Sequence, residues 1–109
     1  MSLNKNGPLG DDLIHFISKD DRNLFYRFRL GVLQTEIELQ LETLPGGATS
    51  FALSHLIKTP GQDAPYRTSR PWNDNPSAAL QQAISGLTQH YKWAIDDGLR
   101  PNETWLVRS

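Results

Sequence analysis

Over residues 35–44 the chain alternates one residue at a time, with Ile37, Leu39 and Leu41 set against Glu36, Glu38, Gln40 and Glu42. A two-residue period sorts such side chains onto opposite faces of a pleated strand, whereas a helix would scatter them around its circumference. Residues 24–30 repeat the pattern: Leu24, Tyr26, Phe28 and Leu30 form one apolar face, and Phe25, Arg27 and Arg29 form the other. Gly31-Val32 suits a tight type II′ hairpin turn, with glycine where φ is positive. That turn sets Arg27 opposite Glu36 and Arg29 opposite Gln34. A turn one residue later, at Val32-Leu33, sets Arg27 opposite Glu38 and Arg29 opposite Glu36. Both registers match oily face to oily face and give an arginine an acidic cross-strand neighbour.

A third run, residues 49–58, carries Phe51, Leu53 and Ile57 on one side with His55 among them. Pro45-Gly46-Gly47 supplies the preceding turn. A three-residue loop with glycine in the left-handed region keeps Phe51 opposite Leu41 and Leu53 opposite Leu39. A two-residue loop would flip the strand and turn both side chains to the wrong face, so the pattern selects the longer loop.

The oily face needs a cover, and the second half of the chain provides one. Asn75 is a good N-cap and Pro76 occupies the first helical position, where its missing N–H costs nothing. Leu80, Ala83, Ile84, Leu87, Tyr91, Ala94 and Ile95 then repeat at three and four residues as a single apolar stripe. Gly98 ends the helix, with Leu99 and Pro101 following. Residues 104–108 read as a terminal strand. The fold class expected is therefore α+β: an antiparallel β-meander of three to five strands, one long amphipathic helix on one face, and a short C-terminal strand. Residues 1–109 form one domain, with 1–10 a loose polar lead-in.

Two segments are less decided. Asp11 can cap a short helix burying Leu13, Phe16 and Ile17, or residues 13–18 form a strand joined to the next through the polar residues 19–23. The short β-rich cluster favours the strand. Residues 59–75 make a long polar connection, within which residues 64–68 offer a further short strand.

Composition excludes several functions. The 109 residues include no cysteine, which removes disulfides, thiolate metal sites and cysteine nucleophiles. The formal net charge of −1 provides no bulk positive field to attract nucleic acid or membrane. No apolar run approaches membrane-spanning length and the N-terminus is polar, so the expectation is a cytoplasmic protein without a membrane partner. Walker, dinucleotide-binding, nucleophile-elbow and helical His-Glu metal signatures are absent. His15, His55 and His90 lack zinc-ligand spacing, and the aspartate pairs 11–12, 20–21 and 96–97 read as solvated turns or helix ends. The expectation is no enzyme, no catalytic residue, no cofactor and no metal.

Three places remain for binding. Arg27, Arg29 and Phe25 resemble a cationic stacking platform, but cross-strand pairing with Glu36 and Glu38 explains the arginines more simply. Tyr66-Arg67-Thr68-Ser69-Arg70-Pro71-Trp72 brings two arginines and two aromatics near a helix N-terminus, where phosphate and bases find matching groups. The competing account pins Tyr66 and Trp72 on the core while the arginines pair with Asp63 or Asp74. Trp93 lies about 140° from the centre of the helix stripe at 100° per residue, beside Gly86, Gln89 and His90. It marks a partner surface, or it is covered by the N-terminal segment or by Trp105.

Arg70-Pro71-Trp72-Asn73-Asp74-Asn75-Pro76, Ala79-Leu80, Leu87 and Tyr91 combine with Gly98-Leu99-Arg100-Pro101-Asn102 and Trp105-Leu106-Val107. Together they resemble a family of small uncharacterised cyanobacterial proteins. That family is similar in fold to the Whirly and transcriptional-coactivator group of single-stranded-DNA-binding regulators. The resemblance covers the last third of the chain. It implies a four-stranded antiparallel meander followed by a helix, often dimerised, and a nucleic-acid-binding ancestry. Two expectations follow. One is a regulator that contacts single-stranded nucleic acid through Arg67, Arg70 and Trp72, with Arg27 and Arg29 secondary. The other is a protein-interaction module, a homodimer built on Trp93, Gln89 and His90.

Overall fold

The structure, a computed structural model, describes residues 12–109. Asp11, the proposed helix cap, and the lead-in at residues 1–10 lie outside the described residues. Four consecutive strands form the meander: β1 (Ile14–Asp20), β2 (Phe25–Leu30), β3 (Ile37–Thr43) and β4 (Thr49–Leu53). Three further strands are short: β5 (His55–Ile57), β6 (Trp72–Asn73) and β7 (Leu106–Arg108). The main sheet is antiparallel in the order β1-β2-β3-β4-β6, while β5 and β7 pair as a separate ribbon. The helix α1 (Pro76–Asp96) packs across β3, β4, β5 and β6.

Residues 14–20 are a strand, because Ile14 and Phe16 fall in register with Leu30 and Phe28 on the inner face. The register slips between Phe16 and Ser18, and Lys19 then stands opposite Tyr26 with its Nζ 4.5 Å from the Phe16 ring centroid. The following turn is closed by Asp20, whose carboxylate accepts from Asn23 N at 3.0 Å and Asn23 Nδ2 at 2.7 Å. Leu24 belongs to this turn, with φ of 56°, instead of opening β2.

Between β2 and β3 the register is the one a Val32-Leu33 turn implies, Arg27 opposite Glu38 and Phe28 opposite Ile37. Yet the tight turn itself is at Gly31-Val32: Leu33 N donates to Leu30 O at 3.0 Å and Gly31 has φ of 58°. Both hold because the chain leaves the pleat after the turn. Leu33 is 2% exposed in the core, and the next two residues are caught by a distant carboxylate. Glu103 accepts from Gln34 N at 2.7 Å, Thr35 N at 3.1 Å and Thr35 Oγ1 at 2.7 Å. These hydrogen bonds, the one from Gln34 N foremost, hold the Glu103 carboxyl below its ordinary value. A carboxylate depressed by folding stabilises above its unfolded pKa and loses that contribution as pH falls through the folded value. Glu103→Ala is therefore expected to cost about 1 kcal/mol at neutral pH, given solvent competition at this exposed site. Urea midpoints of the two proteins should converge as pH is lowered from 7 to 3; a constant gap would refute the latch.

The β3–β4 connection is the three-residue loop. Leu44 N donates to Ala48 O at 2.7 Å, Gly47 N donates to Leu44 O at 3.0 Å, and Pro45 precedes Gly46 with φ of 95°, a type II arrangement. Leu41 faces Phe51 and Leu39 faces Leu53. After Leu53 the strand bends at Ser54. Glu38 N donates to Ser54 Oγ at 2.8 Å and Ser54 N to Glu38 O at 2.8 Å. The bend carries β5 off the main sheet toward β7. There His55 is half-buried opposite Arg108, and burial first, then Arg108, holds its imidazole below the usual value.

Residues 64–68 do not form the expected strand. Pro65 offers no N–H, and Gln62 ties the connection by accepting from Thr59 N at 2.8 Å and donating to Ile57 O at 3.1 Å and Ala64 O at 3.2 Å. The added strand is β6, eight residues past Ala64, pairing Asn73 with Thr49 and Trp72 with Ser50. In α1, Asn75 Oδ1 accepts from Ala78 N at 2.8 Å. At the other end Leu99 N donates to Ala94 O and Gly98 N to Ile95 O, with Gly98 at φ of 84°, a Schellman closure. The stripe Leu80, Ala83, Ile84, Leu87, Tyr91 and Ala94 is buried, but Ile95 is 39% exposed. The terminal strand is shorter than the expected 104–108, because Glu103–Trp105 form a 3-10 turn that seats Trp105 against Tyr91 at 5.7 Å.

Candidate binding site along the helix rim

The connection from Tyr66 to Trp72 is laid against α1 by one glutamine. Gln82 Nε2 donates to Arg70 O at 2.8 Å, and its Oε1 accepts from Asn73 Nδ2 at 2.7 Å. On the strand side Phe51 N donates to Pro71 O at 2.9 Å. Tyr66 N donates to Ile57 O at 2.9 Å, which anchors the beginning of the segment. A polar-looking loop is thus clamped between a helix and a strand edge, with its long side chains left on the surface.

Tyr66 lies on the helix at Gly86, where a Cβ would stand 2.7 Å from Tyr66 Cε2. The glycine is a slot for the ring. Tyr66 meets His90 at 4.6 Å between centroids, and His90 meets Trp93 edge-on at 5.1 Å. His90 Nδ1 is 2.8 Å from Gly86 O, which sets the imidazole between its two neighbours. Trp93 is 52% exposed. Trp105 does not cover it, being buried against Tyr91. Gln89, exposed on the same side, completes the surface. Two sets of residues that the sequence presents separately, the loop and Trp93, are joined by His90 into one aromatic row. Gly86, four residues before His90 and seven before Trp93, is the signal that could have shown this.

Arg67 and Arg70 sit on this rim. Arg70 stacks on Trp72 with its Cζ 4.3 Å from the ring centroid. The ion pairs among the described residues involve neither; both loop arginines lack a carboxylate partner, and Asp63 and Asp74 do not supply one. Arg27 and Arg29 are elsewhere. They project from the outer face of the sheet, opposite to the helix, where Arg27 reaches Glu38 at 3.4 Å and Glu36 at 3.8 Å and Arg29 reaches Glu36 at 3.4 Å. Glutamate thus offsets the outer-face arginines, and such exposed pairs contribute about 0.2–1 kcal/mol each.

Behind the loop lies a cleft of about 310 Å³ that the sequence does not announce. Phe51, Leu53, Leu56 and Ile57 line it from the strand side, Ala83 and Leu87 from the helix, and Arg67, Thr68 and Pro71 along the lip. Phe51 and Leu53 are only partly buried, whereas their partners Leu41 and Leu39 are fully enclosed.

Among the described residues no three His, Asp or Glu side chains converge as a metal site, and no helix is long and apolar enough to cross a membrane. Compared with known proteins, the chain matches no family model, no curated protein and no solved structure. The fold defines the class: an α+β domain with an antiparallel sheet and one covering helix, with Arg70 stacked on Trp72 at its rim.

Proposed function

We propose that this chain is a small non-enzymatic regulator that binds single-stranded nucleic acid along the helix rim. Arg67 and Arg70 contact phosphate, while Trp72 and the row Tyr66, His90 and Trp93 offer ring faces and edges to bases. One observation carries the reading: two arginines without a carboxylate partner among the described residues stand beside exposed aromatic rings. Guanidinium forks match phosphate geometry, and aromatic stacking accepts any base because every base has a π-face. Arg27 and Arg29, already facing glutamates, have a secondary role at most. The reading agrees with the ancestry that the resemblance of the last third of the chain implies, and with action in a reducing compartment such as the cytoplasm.

Fluorescence anisotropy of a labelled oligothymidine at two salt concentrations tests it. Binding should weaken with salt, with a log–log slope of roughly −0.7 per phosphate contact. The double variant Arg67→Gln/Arg70→Gln should lose about two contacts' worth of that slope, whereas Arg27→Gln/Arg29→Gln should leave it nearly unchanged. Absence of binding at low salt, or binding indifferent to salt, would overturn a phosphate-led mode.

The exposure of Trp93 favours a second reading, a homodimer that joins two copies through Trp93, Gln89 and His90. A large exposed aromatic on an otherwise polar helix side is a usual mark of a contact surface. Sedimentation should then show a dimer that Trp93→Ala dissociates. A monomer at micromolar concentration, unaffected by the substitution, removes this reading.

A further inference from the structure

We infer that the cleft behind the loop is a binding site for a small amphipathic carboxylate, with an apolar body on the cleft floor and its anionic head at Arg67. The inference shares Arg67 with the nucleic-acid reading but rests on the apolar cleft behind the loop, which that reading does not use.

The void is built into the fold. On the helix side the residues facing it include Ala83 and Gly86, which are too small to fill the space between α1 and the strand. On the outer side Tyr66 rests on Gly86 and the backbone of Arg70 is held by Gln82, so the loop spans the opening without collapsing into it. The floor is hydrocarbon and ring: Phe51, Leu53, Leu56, Ile57 and Leu87. Apolar walls of this kind gain from contact with an apolar ligand that removes them from water.

The polar groups fit one kind of head. Arg67 is the one charged side chain in the lining, and it has no ion-pair partner among the described residues. No Asp or Glu side chain lines the cleft, and Ser109, which bears the terminal carboxylate of the 109-residue chain, is the one lining residue with a negative charge. Gln82 and the Ser109 hydroxyl, which donates to Leu53 O at 2.6 Å, are already engaged. Along β4 the backbone donors alternate, Phe51 N outward to Pro71 O and Ser54 N inward to Glu38 O. Leu53 N–H therefore faces outward at the cleft edge, between the end of β6 and the Ser109 contact with Ser54. A guanidinium and a backbone N–H are both donors, so the complementary group is a carboxylate, not an amine. At about 310 Å³ the cleft matches the volume of about ten waters at ~30 Å³ each. That is the scale of a ten-carbon acid.

The test titrates the 109-residue protein with decanoate, decanol and decylamine while methyl resonances are followed by NMR. Decanoate should shift the methyls of Leu53, Leu56, Ile57 and Leu87, and should bind about tenfold more tightly than decanol, with decylamine weaker than both. Arg67→Gln, a change at an exposed position that leaves the core alone, should erase the preference for decanoate over decanol while leaving decanol binding as it was. Equal affinity for acid and alcohol, shifts at other methyls, or an unchanged preference in Arg67→Gln would each overturn the assignment. An oligothymidine titration of the same sample separates this outcome from that of the nucleic-acid reading. Decanoate shifts without oligonucleotide binding leave the cleft assignment standing. Oligonucleotide binding with unmoved methyls in millimolar decanoate removes the cleft assignment alone.

Discussion

Gly31→Ala is expected to lower the melting temperature by about 10–20 °C, corresponding to a loss of roughly 3 kcal/mol in a domain of this size. Two costs combine. Gly31 has φ of 58°, in the left-handed region, which costs an L-residue roughly 1–2 kcal/mol. A Cβ there would also overlap the ring and hydroxyl of Tyr91. That ring is in the buried core, packed edge-on against Trp105, and its hydroxyl accepts from Val32 N at 3.3 Å, so it has little room to withdraw. Gly46 separates the two costs, since it has φ of 95° but open space where a Cβ would go. Gly46→Ala should therefore show only the backbone penalty, a shift of several degrees. Equal melting temperatures for the two variants would dismiss the Tyr91 contact as the cause.

The second large effect contrasts two phenylalanines of the same sheet face. Phe28 is 0% exposed in the centre of the core, and its ring meets Phe16 at 5.7 Å. Phe28→Ala should cost about 3–5 kcal/mol, the transfer free energy of the side chain plus the cavity left behind. Phe51 lies on the same face one strand past Leu41 but opens onto the cleft. Phe51→Ala should cost about 1 kcal/mol, because the side chain is partly in water already and solvent can occupy what is left. Urea unfolding of both variants checks the contrast. Matching losses would mean that the cleft is closed in solution.

These two results probe different kinds of information. The alternation of Ile37, Leu39 and Leu41 with Glu36 and Glu38 dictates which side of β3 is oily, and the structure buries the first three while leaving the glutamates exposed. The facing of Phe51 with Leu41 and Leu53 with Leu39 was legible too, because loop length sets the parity of the next strand. So were the helix limits, through the Asn75 cap and Gly98. Residues 64–68 misled because a short alternating run forms a strand only when an edge is available. The free edge of β4 was taken by Trp72 and Asn73 instead.

The candidate site was legible in parts. Arg67, Arg70 and Trp72 stand out as a cluster in the linear chain, and Trp93 stands out as a large ring off the stripe. Nothing local joins them. Their union depends on Tyr66 lying on Gly86 and meeting His90, a contact between residues 24 positions apart. The cleft was invisible for the same reason: its volume is a difference between where a helix, a strand and a loop each come to rest.

The sequence by itself determined the long strands, the helix, the oily faces and the sheet-plus-helix class, because strand period, helix period and end caps are properties of neighbouring residues, whereas the short strand β6 and the 3-10 turn before β7 depend on distant partners. Tertiary structure alone decided which of two registers β2 and β3 adopt, with Glu103 holding Gln34 and Thr35 from nearly seventy residues away. It alone left Arg67 and Arg70 without carboxylate partners among the described residues while Arg27 and Arg29 face Glu36 and Glu38. Charge pairing and empty volume are set by distances across the fold, and those exist only once the chain has closed on itself.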